Sequence, residues 1–272
     1  MVLGIDVGGS TTKIVGLGPG RKPIGMLQVE AKDQTTSAYG AFGKFLAQER
    51  LSIHNVRRIV LTGVGASYLA EGMYGIPTRR VDEFLAIGLG GLSLAGLTEA
   101  LIVSVGTGTA LVRADGGGIR HIGGSGVGGG MLLGLASRFA GITSPDRISK
   151  IAVEGDLSVV DLQLRHISKE KIGNLPPDAT VSNFGNLKDN AGTADIVLGL
   201  VNLVFESIGM MAVFSAKSNK TKDVVVVGAM ALNSHAPSVF GMLSRIHPVN
   251  FIIPKNAIYA TALGAALSEE SV

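Results

Sequence analysis

Ten residues near the start of the chain, Gly4-Ile5-Asp6-Val7-Gly8-Gly9-Ser10-Thr11-Thr12-Lys13, combine an acid, a glycine pair, three hydroxyls and a lysine. An acid at the end of a strand can hold Mg²⁺, directly or through water. Paired glycines let the backbone approach phosphates, and the hydroxyls and lysine can donate to them. A plain hairpin turn needs only the glycines. The full set points to phosphate binding by Asp6, Val7, Gly8, Gly9, Ser10, Thr11, Thr12 and Lys13, with Asp6 as the metal ligand. A second strand–turn–strand, Val105-Gly106-Thr107-Gly108-Thr109, repeats the glycines and hydroxyls. Two facing hairpins can clamp one triphosphate across a cleft, which makes Thr107 and Gly108 candidate contacts. A third stretch, a glycine loop from Gly123 to Gly130, runs into an apolar helix. A helix N-terminus whose N–H groups are unobstructed is an anion site, here offered by Gly128, Gly129, Gly130 and Met131. A fourth, Gly228-Ala229, ends an apolar run in a turn suited to lie against an adenine ring.

The elements that must position these residues follow from the apolar pattern. Val2–Ile5 and Lys13–Gly18 read as a hairpin and Ile24–Glu30 as a third strand. Ser37–Arg50 has helical spacing, with Ala38, Ala41, Phe42, Phe45 and Leu46 on one face. Arg58–Thr62 is a buried-strand pattern, Ala66–Tyr74 a helix, and Asp82 opens a long apolar helix to about Leu97. Asp82 and Glu83 sit in its first turn, where the helix dipole favours acids. The pattern then restarts. Leu101–Val105, Thr109–Ala114 and Ile119–Ile122 read as strands, Met131–Phe139 as a helix, and residues 144–190 as irregular. Thr193–Lys217 is a long helix, Asp223–Val227 a strand, Ser234–Ser244 a helix, Val249–Ile253 a strand, and Ala257–Ser268 a closing small-residue helix. Two strand-rich starts, each followed by helices, suggest duplication of a β-β-β-α-β-α unit and two lobes with a cleft between them.

Composition excludes several classes. With 272 residues, 46% hydrophobic and 17% charged, the chain is neither short of core nor disordered. It has no cysteine, which removes disulfides, cysteine-ligated zinc and iron–sulfur clusters. A net charge of +3 is spread thinly, so no nucleic-acid footprint is expected. Ile196–Ser215 approaches membrane-spanning length but carries Asn202 and Glu206, and reads as a buried helix. No export signal precedes the first strand, so a cytoplasmic protein with no membrane partner is expected. The histidines His54, His166, His235 and His247 are too scattered to suggest a metal set.

The two hairpins, the Gly228 turn and the Ala260–Ala266 helix resemble the acetate and sugar kinase, Hsp70 and actin superfamily. Within it the chain is similar, over almost its full length, to the type II (eukaryotic-like) pantothenate kinases. The most specific stretch is Gly155-Asp156, Asp161-Leu162-Gln163-Leu164-Arg165-His166-Ile167 and Asp178-Ala179-Thr180-Val181-Ser182-Asn183-Phe184-Gly185. It carries no chemical motif of its own, which makes convergence a poor account of the likeness. The resemblance implies an α/β, two-lobed actin-like (ribonuclease H-like) ATPase fold. Residues 1–97 would form the N-terminal lobe. Residues 98–272 would form the C-terminal lobe, with the last helix at the junction. It implies ATP- and Mg²⁺-dependent phosphorylation of the primary hydroxyl of pantothenate, the first step towards coenzyme A. Strand Ile102–Val105 holds no acid, so a general base must come from elsewhere; the residue matching the family's base is Glu83, with Asp82 competing. A homodimer is expected from the resemblance and from the long apolar helix.

The acceptor side departs from the family pattern. His121 stands where an arginine is usual, with Arg120 one residue earlier and on the opposite face of a strand. Leu85 stands where an aspartate is frequent. Arg120, His121 and Thr109 are the candidate acceptor contacts. These departures leave two other readings open: a kinase of the same fold acting on another small hydroxyl compound such as an aminosugar, or an ATP-binding regulator without acceptor chemistry.

Overall fold

The computed structural model describes residues 1–31, 33–69 and 72–270. Its first sheet is built from β1 (Val2–Val7), β2 (Thr11–Leu17), β3 (Pro23–Glu30), β4 (Arg58–Thr62) and β5 (Thr78–Arg80), in the order β3-β2-β1-β4-β5. β1–β2–β3 form an antiparallel meander, and β4 and β5 add in parallel. Helix α1 (Gln34–Gln48) starts at Asp33, whose carboxylate accepts from Thr36 N–H at 2.7 Å. Its Ala38, Ala41, Phe42 and Phe45 pack with Leu3, Ile5, Val7, Ile14, Ile59 and Leu61 on one face of the sheet.

The second half repeats this plan. After α2 (Glu83–Ala95) come β6 (Ala100–Val105), β7 (Thr109–Asp115) and β8 (Gly118–Ser125), then α3 (Gly129–Ala140). Four small elements follow: α4 (Pro145–Ala152), β9 (Leu162–Gln163), α5 (Leu164–Ile167) and β10 (Thr180–Ser182). Helix α6 (Thr193–Ser218) leads to β11 (Asp223–Val227), α7 (Ala236–Ile246), β12 (Asn250–Ile252) and α8 (Ala260–Leu267). The second sheet runs β12-β11-β6-β7-β8, the same order as the first when read from its meander edge. By length and composition α6 could cross a membrane, but 67% of its apolar window is buried. Val197, Val201, Val204, Phe205, Ile208 and Ala212 on it pack into the cluster that covers the second sheet.

The two sheets are joined by a helix crossing. α2 precedes the second sheet and packs on it, with Gly88 against Ile119 and Gly91 against Ile102. α8 follows the second sheet in sequence yet lies on the first, with Gly4 of β1 directly under Ala262 and Ala266. The helices touch each other backbone to backbone: Gly90 meets the Ala260 carbonyl and Gly264 meets the Ala86 carbonyl, closer than any side chain allows.

Several expectations change. The helix expected over Ala66–Tyr74 is replaced by two 3₁₀ turns, Val64–Tyr68 and Met73–Gly75; Ala70 and Glu71 lie outside the described residues. Gly72 at φ +84° and Gly75 at φ +74° break the pattern that Leu69 and Met73 suggest. Residues 144–190 are not wholly irregular, since α4, α5 and the β9–β10 pair lie there; each is too short for its periodicity to show. Gly123, Gly124 and Ser125 belong to β8, paired with Leu111, Ala110 and Thr109, so the free glycine loop shrinks to residues 126–128.

Candidate active site

The β1–β2 ladder extends further than the pattern suggests. Asp6 pairs with Lys13 and Val7 with Thr12, leaving Gly8-Gly9-Ser10 as the turn. Gly8 N–H donates to the Thr11 carbonyl at 3.0 Å and tightens it, while Gly9 faces open space. Alternation along the strands then sorts the side chains. Asp6 and Lys13 share the face covered by α2 and α8, and Lys13 Nζ donates to Asp6 Oδ2 at 3.4 Å with both groups buried. Thr12 falls on the opposite face with Ile14, fully buried, its hydroxyl without a partner among the described residues. This corrects one expectation: of the three hydroxyls, only Ser10 and Thr11 remain at the open side of the turn. Burial pushes the Asp6 carboxyl above the usual carboxylate range, against the opposing pull of Lys13.

Gly63 follows β4 at φ +87°, and a Cβ there would stand 2.6 Å from Asp6 Oδ1 and 2.7 Å from the Val7 carbonyl. The second half repeats the device. Gly228 follows β11 at φ +95°, and its Cβ would stand 2.5 Å from the Val105 carbonyl at the end of β6. In each sheet a glycine keeps the mouth of the hairpin open beside the central strand.

The first turn of α2 links the two halves. Asp82 is its N-cap, Oδ1 accepting from Leu85 N–H at 2.9 Å. The adjacent Glu83 carboxylate makes no hydrogen bond among the described residues. Burial raises its proton affinity first, then the negative charges of Asp6 and Asp82, while Lys13 acts in the opposite sense. The two acids competing in sequence are thus separated by geometry: Asp82 holds the helix, and Glu83 stands in the field of Asp6 and Lys13. Phe84, next along, stacks on His121 of β8 with ring centroids 3.9 Å apart and planes 12° from parallel.

Around the second hairpin the glycines serve close packing. Gly129 N–H donates to the Gly106 carbonyl and Gly130 N–H to the Thr107 carbonyl, each at 2.9 Å. A Cβ on Gly128 would stand 2.6 Å from the Thr107 oxygen. The expectation of wholly free N–H groups at this helix start is therefore corrected: two of them dock α3 onto the hairpin, and Met131 N–H is the first-turn donor without a partner among the described residues. Thr107 is exposed at the hairpin tip, beside Gly108. Thr109 is buried and donates to the Val127 carbonyl at 2.8 Å, so its hydroxyl braces the loop. The exposed Ala229 follows Gly228, and Met230 lies against Gly129, which brings that turn to the same helix end.

The Fumble family model matches residues 96–245. The type II pantothenate kinase of Staphylococcus haemolyticus (strain JCSC1435) is 31% identical over 242 residues, covering 86% of each chain. That of Staphylococcus aureus (strain USA300) is 30% identical over 243 residues, again 86% of each. The chain belongs to the type II pantothenate kinase family. It is accordingly a kinase. Solved structures carry the fold. The activator of the 2-hydroxyisocaproyl-CoA dehydratase from Clostridium difficile, with bound ADPNP, superimposes with a TM-score of 0.70 at 19% identity, covering 100% of this chain and 97% of its own. The ROK hexokinase from Thermus thermophilus gives 0.60 at 16%, covering 98% and 97%. Both agree with the two-sheet, actin-like ATPase architecture.

Along β8 the strand alternation separates Arg120 from His121. Arg120 Nη2 donates to Asp115 Oδ2 at 3.3 Å, beside Arg113, which also binds Asp115 and Glu99. His121 faces α2 and Phe84. The structure therefore stacks His121 on Phe84, the residue after Glu83, and turns Arg120 to Asp115. Sequence reasoning passed over Phe84 and the role of Gly63. The latter had a signal: Thr62-Gly63 and Val227-Gly228 end corresponding buried runs in the two halves.

Proposed function

We propose that this kinase transfers the γ-phosphoryl group of ATP to the primary hydroxyl of pantothenate, giving 4'-phosphopantothenate and ADP in the first step of coenzyme A biosynthesis, with Glu83 as general base. The observation that carries the reading is the position of Glu83, released from capping by Asp82 and lying in the field of the Asp6–Lys13 pair. The acceptor is supported by the names of the relatives at about 30% identity.

The acceptor hydroxyl oxygen forms the new bond to the γ-phosphorus as the bond to the β–γ bridging oxygen breaks, and its proton passes to Glu83. Such transfers depend on alignment and charge neutralisation more than on covalent chemistry. Lys13, Ser10, Thr11 and the Gly8-Gly9 backbone hold the phosphates from one side, and Thr107 with Gly108 from the other. Met131 N–H and the dipole of α3 add to the second side, and Gly228-Ala229 receives the adenosine. Asp6 would hold Mg²⁺ together with the phosphates, and the ion would supply neutralisation of the developing charge. His121 and Phe84 form an aromatic wall beside the acceptor hydroxyl. The active form is a cytoplasmic homodimer in this reading.

ADP release from Mg-ATP is measured with and without pantothenate, for the native chain and for Glu83→Gln. Release that depends on pantothenate and falls 10²- to 10⁴-fold in the variant, with ADPNP affinity kept, is the expected result. Pantothenate-independent release, or full turnover in Glu83→Gln, refutes it.

A further inference from the structure

The stretch that resembles the family without any chemical motif borders a cavity lined by none of the candidate active-site residues. About 300 Å³ in size, it lies between the 155–180 segment, α6 and the start of α7. Its walls include Gln163, Arg165, Asn202, His235, Ser238 and Arg245. Two of these are polar yet almost wholly buried, Asn202 at 2% exposure and Gln163 at 3%.

A hydrogen-bond chain fixes the floor. Asp161, fully buried, accepts from Phe184 N–H at 2.8 Å and from Asn202 Nδ2 at 2.9 Å. Asn202 Nδ2 also donates to Thr180 Oγ1 at 3.2 Å, so its Oδ1 is left as the acceptor. His235 Nε2 lies 3.3 Å from that oxygen and must carry the proton. Burial lowers the proton affinity of the imidazole. Gln163 Oε1 accepts from Arg165 Nε at 2.9 Å, which leaves the buried Gln163 Nε2 without a partner among the described residues. Gln163 is itself among the residues that line the cavity.

The groups without partners include donors from α7. Ser238, Met242 and Arg245 share one face of α7, and neither Ser238 Oγ nor the Arg245 guanidinium has a partner among the described residues. Asp156 and Asp178 also line the walls. The Asp156 carboxylate is engaged by Ser158 through N–H at 2.8 Å and Oγ at 2.9 Å. The arrangement is a hydrogen-bonded floor with two guanidinium groups, Arg165 and Arg245, and two carboxylates, Asp156 and Asp178, in the walls around it; the paired guanidinium groups are the feature that suits an oxyanion.

We propose that this cavity is an accessory binding site for a small oxyanion, a carboxylate or a phosphate ester, held by Arg245, Arg165, Gln163 and Ser238. It adjoins the nucleotide side through the chain itself. The Gly228–Leu232 turn leads directly to Asn233, whose Oδ1 accepts from His235 N–H at 2.9 Å. An anion seated on α7 thus bears on the segment that carries the adenosine turn.

The test is thermal unfolding of the full chain followed by far-UV circular dichroism at constant ionic strength. Chloride is replaced by inorganic phosphate in one arm and by acetate in another. Inorganic phosphate has a competing destination at the hairpins, so native, Lys13→Met and Arg245→Gln chains are compared, each against its own chloride baseline. The expected result is a rise of roughly 3 °C at ten times the dissociation constant. It survives in Lys13→Met and disappears in Arg245→Gln. The arm that gives the larger rise identifies carboxylate or phosphate as the ligand group. A rise lost in Lys13→Met and kept in Arg245→Gln assigns the ion to the hairpins and overturns the proposal. No rise with either anion in the native chain overturns it equally. Pantothenate-dependent turnover is measured alongside and is expected to persist in Arg245→Gln, so failure here is distinct from failure of the kinase reading.

Discussion

Replacing Lys13 by methionine isolates the electrostatics on which the first hairpin depends. Lys13 Nζ is 3.4 Å from Asp6 Oδ2, and each side chain is only 10% exposed. At an effective dielectric of about 20 that separation corresponds to about 5 kcal/mol of attraction. Desolvation offsets much of this for the intact pair, but removing one partner leaves a buried carboxylate uncompensated, at about 3–5 kcal/mol. For a chain of this size that is a fall in Tm of roughly 10 °C. The pH dependence has a definite sign. The Asp6 carboxyl is raised in the folded state by burial and pulled back only by Lys13. An acid with a raised folded pKa costs stability above that pKa, and the cost fades as pH falls through it. Lys13→Met removes the pull, so its deficit shrinks on acidification more than any change in the native chain. The assay is urea unfolding followed by far-UV circular dichroism across neutral to mildly acid pH. Asp6→Asn combined with Lys13→Met recovers most of the stability and none of the turnover. A deficit below about 1 kcal/mol, or no recovery in the double variant, refutes the reasoning.

Four shorter expectations follow from the same geometry. The acid limb of the kcat/KM profile stands above the ordinary glutamate range, because burial and then Asp6 and Asp82 raise Glu83; a limb at the ordinary glutamate position contradicts the assignment. Asp82→Ala loses a helix cap and about 1 kcal/mol of stability but keeps turnover within a few-fold, so a collapse of turnover in the folded variant reverses the roles of Asp82 and Glu83. Gly228→Ala meets the Val105 carbonyl and a φ of +95°, costing about 1–3 kcal/mol and weakening ADPNP binding in calorimetry. Gly264→Val forces α8 off the Ala86 carbonyl; loss of cooperative unfolding or of soluble expression is expected, and native stability would show that the helices do not cross as described.

Much of this protein was legible in one dimension because it depends on short-range periodicity. The Asp6–Lys13 hairpin, the Gly106–Gly108 turn and the long helix at Thr193 are written as local patterns of glycine, hydroxyl and apolar spacing. The repeat of the two sheets was legible for the same reason: the same order of strands and helices appears twice. Local rules failed where elements are too short to show a period, as in residues 144–190, and where positive-φ glycines interrupt an apolar run, as after Leu69.

Other facts belong to the tertiary structure alone. Asp82 and Glu83 are adjacent acids in one helical turn, and only the cap geometry assigns one to the helix and the other to Asp6 and Lys13. Thr12 counts as a phosphate donor until strand alternation turns it towards α1. The glycines before α3 look like free backbone until their N–H groups are found on Gly106 and Thr107. Arg120 and His121 are neighbours in sequence, yet one side chain reaches Asp115 and the other Phe84. In each case the residue type was fixed by the chain, but its direction was set by what a distant segment placed opposite it. Composition and spacing thus determined the chemistry this protein carries, and packing decided which groups meet.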